Sequence, residues 1–327
     1  MRKTYPVLLM LIMLFLGSVQ ANDAYSLPPD GTPPSAPSGV ALSIDSEDLD
    51  VPYVPTPENV VMKMLEMTNV CSEDTVYDLG CGDGRIVITA AEKMGAGGVG
   101  IDLDPERIRE SNENARKARV TNRVRFLNQD LFKTDFSKAS VVTLYLLPSV
   151  NLDLRPKLLR ELKPGSRVVS HDFDMGEWEA DQDAEVEGHS IYYWVIPANA
   201  TGTWEWTMPS RTGDETFVLN VDQKFQKVGG VLSEGGSDLP IRDVVLSGNT
   251  LKFTADRIVN GRMVAVRYEG RINGDSIEGT AEAADGSVEK GAKWSARRSP
   301  GTETAIDGSG ETARVSFGRR EISPFSA

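Results

Sequence analysis

Apolar residues change period repeatedly along the middle of the chain. Val60, Val61, Met64 and Leu65 share one helix face, and Thr56-Pro57 before them suits an N-cap and first helical position. Short apolar runs at 75–79, 98–103, 123–127, 141–147 and 167–171 read as strands. Helix-length stretches at 85–94, 105–118 and 152–162 lie between them. Asp104 is placed to cap the second of these helices, and Lys163-Pro164-Gly165 to stop the third. Strands alternating with helices predict a mainly parallel sheet covered on both faces. Residues 185–187 and 190–196, joined across Gly188-His189, read as an antiparallel hairpin that closes it.

After Ala198 the helical period disappears. Runs such as 217–221, 250–253 and 263–268 are separated by the turn pairs Gly229-Gly230, Gly248-Asn249 and Asn273-Gly274. Seven or eight strands over about a hundred residues predict a small all-β barrel or sandwich with its own core. Trp204 and Trp206 share one strand face and Trp294 lies in the last strand; they either plug the interior or line a hydrophobic cavity.

The ends have another character. Arg2 and Lys3, the apolar stretch 7–16 and Val19-Gln20-Ala21 have the order of a secretory signal cleaved after Ala21, so the protein is expected in the periplasm or secreted. The apolar core is shorter than a comfortable membrane span, which leaves an uncleaved anchor as the alternative. Residues 22–57 carry six acids, no Lys or Arg and eight prolines, a composition that cannot bury a core. The expected organisation is therefore a signal at 1–21, a disordered acidic linker at 22–50, an α/β domain at 51–198, an all-β domain at 199–298 and a flexible tail at 299–327. The net charge is −13, and −15 without Arg2 and Lys3, which disfavours a nucleic-acid partner. Two cysteines cannot build a disulfide framework, and both are expected as free thiols.

The strongest chemical signal is Asp78-Leu-Gly-Cys-Gly-Asp-Gly-Arg85, where a strand enters a glycine-dense turn and then a helix. Gly80, Gly82 and Gly84 let the backbone approach a ligand closely, with Cys81 between them. The spacing is not the Gly-x-Gly-x-x-Gly of pyrophosphate sites, and Asp78 beside it would repel a phosphate, so the ligand should be cationic. Asp102, twenty-two residues after Gly80, falls at the end of the second strand, where a carboxylate can accept two ribose hydroxyls. Asp130 follows the third strand, in place for an adenine amino group. Taken singly, Asp102 also reads as a cap, with Asp104, of the following helix, and Asp130 as a turn cap.

Asp78 to Gly84 with Gly100-Ile-Asp102 resembles the first two motifs of class I S-adenosylmethionine-dependent methyltransferases. Tyr53-Val-Pro-Thr-Pro57, Leu147-Pro148, Leu154, Leu158, Glu161-Leu162, Phe173 and Trp178 extend the resemblance. They are similar to the protein-lysine methyltransferases of the ATP synthase c-subunit and adenine nucleotide translocase group and their bacterial relatives. The resemblance covers roughly residues 50–197. It implies a Rossmann-like fold, S-adenosylmethionine as cofactor and a protein or peptide methyl acceptor, membrane-associated ones included. It also implies that Tyr53, Thr56 and Pro57 close the cofactor pocket from the N-terminal side. The signal, linker and β domain depart from the mitochondrial enzymes and leave two rival readings, a non-catalytic cofactor-binding protein and a small-molecule methyltransferase.

Methyl transfer is an in-line displacement that needs alignment and a cation-tolerant pocket rather than a covalent nucleophile. Tyr145, at the fourth strand's end, is either an aromatic face for an ammonium nitrogen or a rim tyrosine. His171, at the fifth strand's end, either takes a proton from the acceptor or is structural. His189 is assigned to its hairpin turn. No His, Cys and carboxylate cluster has metal-ligand spacing, so no metal is expected.

Overall fold

The structure, a computed structural model, describes residues 54–210 and 213–307. The expected signal and linker, Tyr53 and residues 308–327 lie outside the described residues. Among the described residues no helix is long and apolar enough to cross a membrane.

The first half is a Rossmann-like α/β domain. Strands β1 (Thr75–Leu79), β2 (Gly97–Asp102), β3 (Val124–Asn128), β4 (Val141–Leu144), β5 (Arg167–His171), β6 (Gln182–Val186) and β7 (His189–Val195) form one sheet in the order β3-β2-β1-β4-β5-β7-β6. Pairing is parallel from β3 through β5, and β7 closes the sheet antiparallel to both β5 and β6. The central strands β1, β4 and β5 are buried almost throughout, as expected for strands covered on both faces. The covering helices are α1 (Glu58–Met67), α2 (Arg85–Thr89), α3 (Pro105–Ala118) and α4 (Pro148–Glu161). Asp104 caps α3 by accepting from the Glu106 N–H at 2.8 Å, with Pro105 at the first helical position.

Several expected boundaries move. Helix α1 has Pro57, not Thr56, at its N-cap, and the Thr56 hydroxyl turns instead to His171. Residues 85–94 split into α2 and one π-helical turn, Ala90–Met94. Strand β4 stops at Leu144, because Tyr145, Leu146 and Leu147 leave the sheet to wall a cavity. Helix α4 begins at Pro148, whose fixed φ starts the helix, and it contains Pro156. The closing hairpin turns at Glu187-Gly188, both left-handed, so His189 opens β7 rather than sitting in the turn.

The second sheet is wholly antiparallel and has nine strands rather than seven or eight. They are β8 (Gly202–Ser210), β9 (Gly213–Lys224), β10 (Lys227–Glu234), β11 (Ser237–Pro240), β12 (Arg242–Ser247), β13 (Thr250–Val259), β14 (Arg262–Asn273), β15 (Ser276–Ala283) and β16 (Ala292–Arg298). The order β11-β10-β9-β8-β16-β15-β14-β13-β12 curls into a nearly closed barrel, with β12 at one end of the order lying against β10 near the other. Gly229-Gly230 is not a turn. It lies inside β10, where a Cβ on Gly230 would meet the Asn220 carbonyl oxygen at 2.3 Å; the chain reverses instead at Phe225-Gln226. The barrel interior is filled by aromatic rings. Trp206 stands 5.2 Å from Phe217 and 5.0 Å from Trp294, and Phe253 stacks on Tyr268 at 4.7 Å. Trp204 is fully buried, under the Arg298 guanidinium.

Candidate active site

The sheet order reverses between β1 and β4, and at such a switch point the strand ends leave a crevice for a ligand. A cavity of about 320 Å³ opens there, walled by residues from 54 to 173. Successive strand ends supply the chemistry: Gly80 to Asp83 after β1, Asp102 closing β2, Gln129 and Asp130 after β3, and Tyr145 after β4.

The glycine turn is built tightly. Gly80 has φ +82°, and a Cβ there would press on the Leu146 side chain at 2.7 Å. Gly84 does not wall the cavity as expected. It sits behind the turn at φ +80°, where a Cβ would meet the Phe126 ring at 2.7 Å, so its smallness lets β3 pack against the start of α2. Cys81 is buried on the cavity wall with its thiol pushed up by burial, and both Cys71 and Cys81 are unbridged.

Asp102 shapes the turn as well as facing the cavity. Its Oδ2 accepts from the Gly82 N–H at 2.8 Å and its Oδ1 from the Asp104 N–H at 3.0 Å. Burial raises its pKa, and those two bonds oppose the rise. Asp78 is buried beside it and accepts from the Thr143 hydroxyl at 2.7 Å. Burial pushes Asp78 up to about 7; the Thr143 bond opposes this, and the charges of Asp102 and Asp83 add to it. Asp130 also lines the cavity, where its Oδ1 accepts from the Phe132 N–H at 2.9 Å and Lys133 pairs with Oδ2 at 3.1 Å.

Two contacts escape sequence reading. Arg85 pairs with Asp83 at 2.6 Å and donates to the Thr56 carbonyl at 3.0 Å, pinning the N-terminal segment over the glycine turn. Phe173 stacks with Tyr145 at 6.2 Å, so one stretch of the cavity wall is a paired aromatic face. The Asp-Gly-Arg stretch of the glycine motif carries a visible signal for the first; the second depends on tertiary folding. His171 is one side chain back from the cavity. It is fully buried behind Tyr145, whose ring lies 3.9 Å away, and it reaches the wall through Thr56, with Nδ1 to Oγ1 at 3.2 Å. Burial pushes His171 down to about 4, the Asp172 carboxylate opposing and His189 reinforcing this.

A nucleoside with a cationic tail fits these residues. A glycine turn that excludes Cβ atoms admits close backbone approach, and each Asp102 oxygen keeps a second lone pair for a ribose hydroxyl. The Asp78 carboxylate suits the charged end of S-adenosylmethionine.

Comparison with known proteins agrees. Residues 78–182 match the family model described as the ANTKMT methyltransferase domain, a match that ends before β8. The protein-lysine N-methyltransferase of Saccharolobus islandicus (strain REY15A) is 50% identical over 151 residues, which is 45% of this chain and 94% of that protein. The lysine N-methyltransferase of the ATP synthase c-subunit from Homo sapiens is 35% identical over 131 residues, which is 40% of this chain. The match covers 55% of the human enzyme, so the chain spans about half of its length. A solved structure described as an RNA methyltransferase from Salinibacter ruber in complex with S-adenosyl-L-homocysteine is 55% identical. It covers 44% of this chain and 94% of its own, with a TM-score of 0.44. By identity and coverage of the archaeal relative, the chain belongs to the ANTKMT methyltransferase family of S-adenosylmethionine-dependent enzymes.

Proposed function

We propose that the protein methylates the ε-amine of lysine in a protein acceptor, and that it does so after export. Relatives named for lysine methylation support the acceptor class, and the pattern of residues 1–21 supports the compartment. The observation that carries the reading is the stacked Tyr145 and Phe173 pair on the cavity wall. An aromatic face attracts an ammonium group by about 0.5 to 2 kcal/mol, and a lysine side chain is long enough to bring one to it.

S-adenosylmethionine supplies an electrophilic methyl group carried on a sulfonium. The residues then have to align two partners and exclude water, which is most of what in-line displacement requires. Asp102 and the glycine turn would hold the nucleoside, and Asp78 beside them would answer the cofactor's positive charge. Tyr145 and Phe173 would offer their aromatic faces to the acceptor nitrogen. The lysine ammonium gives its proton to solvent water before its nitrogen attacks, and the carbon–sulfur bond of the sulfonium breaks as the carbon–nitrogen bond forms. The Thr56 hydroxyl, held from behind by His171 Nδ1, is a polar group on the cavity wall able to accept a hydrogen bond from the lysine nitrogen. Tyr145 thus touches the acceptor, whereas His171 acts as a positioning residue through Thr56.

The purified full-length chain, incubated with methyl-labelled S-adenosylmethionine and a cell-envelope extract, should place label on protein, located by peptide mass spectrometry at lysine. Tyr145→Ala should lower transfer at least about tenfold while cofactor affinity stays within about twofold. Label in RNA or in small molecules overturns the acceptor class. Stoichiometric cofactor binding without turnover overturns catalysis.

A further inference from the structure

The chain contains only two histidines, and the fold brings them together. His171 ends β5 and His189 opens β7, strands that run antiparallel side by side, so residues eighteen apart in sequence meet where β5 ends and β7 begins. His171 Nε2 lies 3.0 Å from His189 Nδ1. Asp172 is wedged against both, its Oδ2 at 3.0 Å from His189 Nδ1 and 3.3 Å from His171 Nε2. The wedge is held by backbone: Asp172 has φ +60°, a conformation non-glycine residues seldom adopt, and its Oδ1 accepts from the Ser190 N–H at 3.0 Å.

Three polar atoms in a closed triangle cannot alternate donor and acceptor. Any placement of protons on the two imidazoles sets like against like on at least one edge, either two lone pairs or two N–H groups. A cation facing the triangle removes the conflict, because all three atoms then act as acceptors. The dimensions agree: ligand atoms about 2.1 Å from a common metal, at tetrahedral or octahedral angles, stand about 3.0 to 3.4 Å apart. The outer contacts also match the habit of metal sites, in which the second nitrogen of a ligating imidazole and the second oxygen of a ligating carboxylate are each fixed by a hydrogen bond. Here Thr56 holds His171 Nδ1 and Ser190 holds Asp172 Oδ1.

We propose that His171 Nε2, His189 Nδ1 and Asp172 Oδ2 bind a first-row divalent transition metal on one face of its coordination sphere. Two imidazoles and one carboxylate suit zinc or its neighbours rather than calcium or magnesium. Nε2 points away from Thr56, so the metal stands behind the cavity wall and is no part of the methyl-transfer machinery. Its effect there is to clamp the end of β5 to the start of β7 and to fix the ring that orients the Thr56 hydroxyl. The proposal is independent of which acceptor the enzyme methylates.

The test uses tag-free full-length protein stripped with a chelator and titrated with Zn²⁺ alone, read by calorimetry and by ¹⁵N spectra of the two histidines. One equivalent should bind with micromolar or tighter affinity, and the His171 Nε2 and His189 Nδ1 signals should both move. His189→Ala, at a half-buried position, should weaken binding by at least about tenfold while keeping S-adenosylhomocysteine binding. Asp172→Asn is the second variant and should weaken it in the same direction. The spectra of the unaltered protein decide the matter even if a variant does not fold. Millimolar binding, binding that leaves either imidazole signal in place, as exposed Cys71 acting alone would, or unchanged affinity in folded His189→Ala overturns the proposal.

Discussion

Asp102 uses both carboxylate oxygens on backbone N–H groups, so it serves the fold and the ligand at once. Asp102→Ala should therefore cost about 1 to 3 kcal/mol of stability, because two N–H groups are left unpaired near the surface of the turn. It should also weaken S-adenosylmethionine binding at least about tenfold, since hydrogen bonds to a charged acceptor contribute about 1.5 to 3 kcal/mol. Calorimetric titration beside thermal melts separates the two effects; a folded variant with unchanged affinity would remove the ribose role. Asp78 makes a prediction about pH. Its folded pKa, raised to about 7, exceeds the ordinary 3.8, so the folded protein holds a proton that the unfolded chain has already lost. This group's contribution to the stability of the cofactor-free protein is complete below about pH 4 and declines as pH rises through 7. Affinity for the cationic cofactor should run the other way, tightening about tenfold between pH 6 and 8 as the carboxylate ionises. Asp78→Asn should flatten both profiles. A cofactor affinity that is level across that range would show that Asp78 carries its charge by some other balance.

Among the strands and helices, what could be read from sequence was what local chemistry enforces. Asp104-Pro105 announces α3, and the glycine turn between a buried strand and a helix places the cavity from residue order alone. Ends set by tertiary contact were not legible. Strand β4 has apolar residues through Leu147, and nothing local says that Tyr145 onward departs to line a cavity. Gly229-Gly230 has the composition of a turn but lies in β10, because the Asn220 carbonyl of β9 leaves no room for a Cβ. Phe225, which does make that turn at φ +55°, has no turn propensity at all. The two histidines show the same limit on the chemical side. No spacing rule joins 171 to 189, and only the antiparallel register of β5 and β7 does so.

That unexpected turn also joins the two halves of the protein. The barrel has an apolar core of its own, but Phe225 belongs to the core of the α/β domain, stacked 6.1 Å from Trp178 with the Arg155 guanidinium over its ring. Gln226 donates to the Glu179 carbonyl at 2.7 Å, and Lys224 and Lys227 pair with Glu177 and Glu179. A second contact sets Gly248 against Gly165, just before β5, the end of the sheet opposite the cavity. No described residue of the barrel walls the cavity. The exposed ion pairs contribute little, and the buried ring carries most of the attachment. Phe225→Ala should destabilise the joint by about 3 to 5 kcal/mol, the usual cost of removing a buried phenyl ring. Scanning calorimetry should then resolve one cooperative transition into two, or lower its midpoint, while affinity for S-adenosylhomocysteine at 25 °C stays within about twofold. Lys227→Ala, removing only an exposed partner, should change the midpoint little. A Phe225→Ala protein with the melting profile of the parent would show that the barrel is held elsewhere, and one that no longer binds cofactor would show that the barrel supports the active site after all.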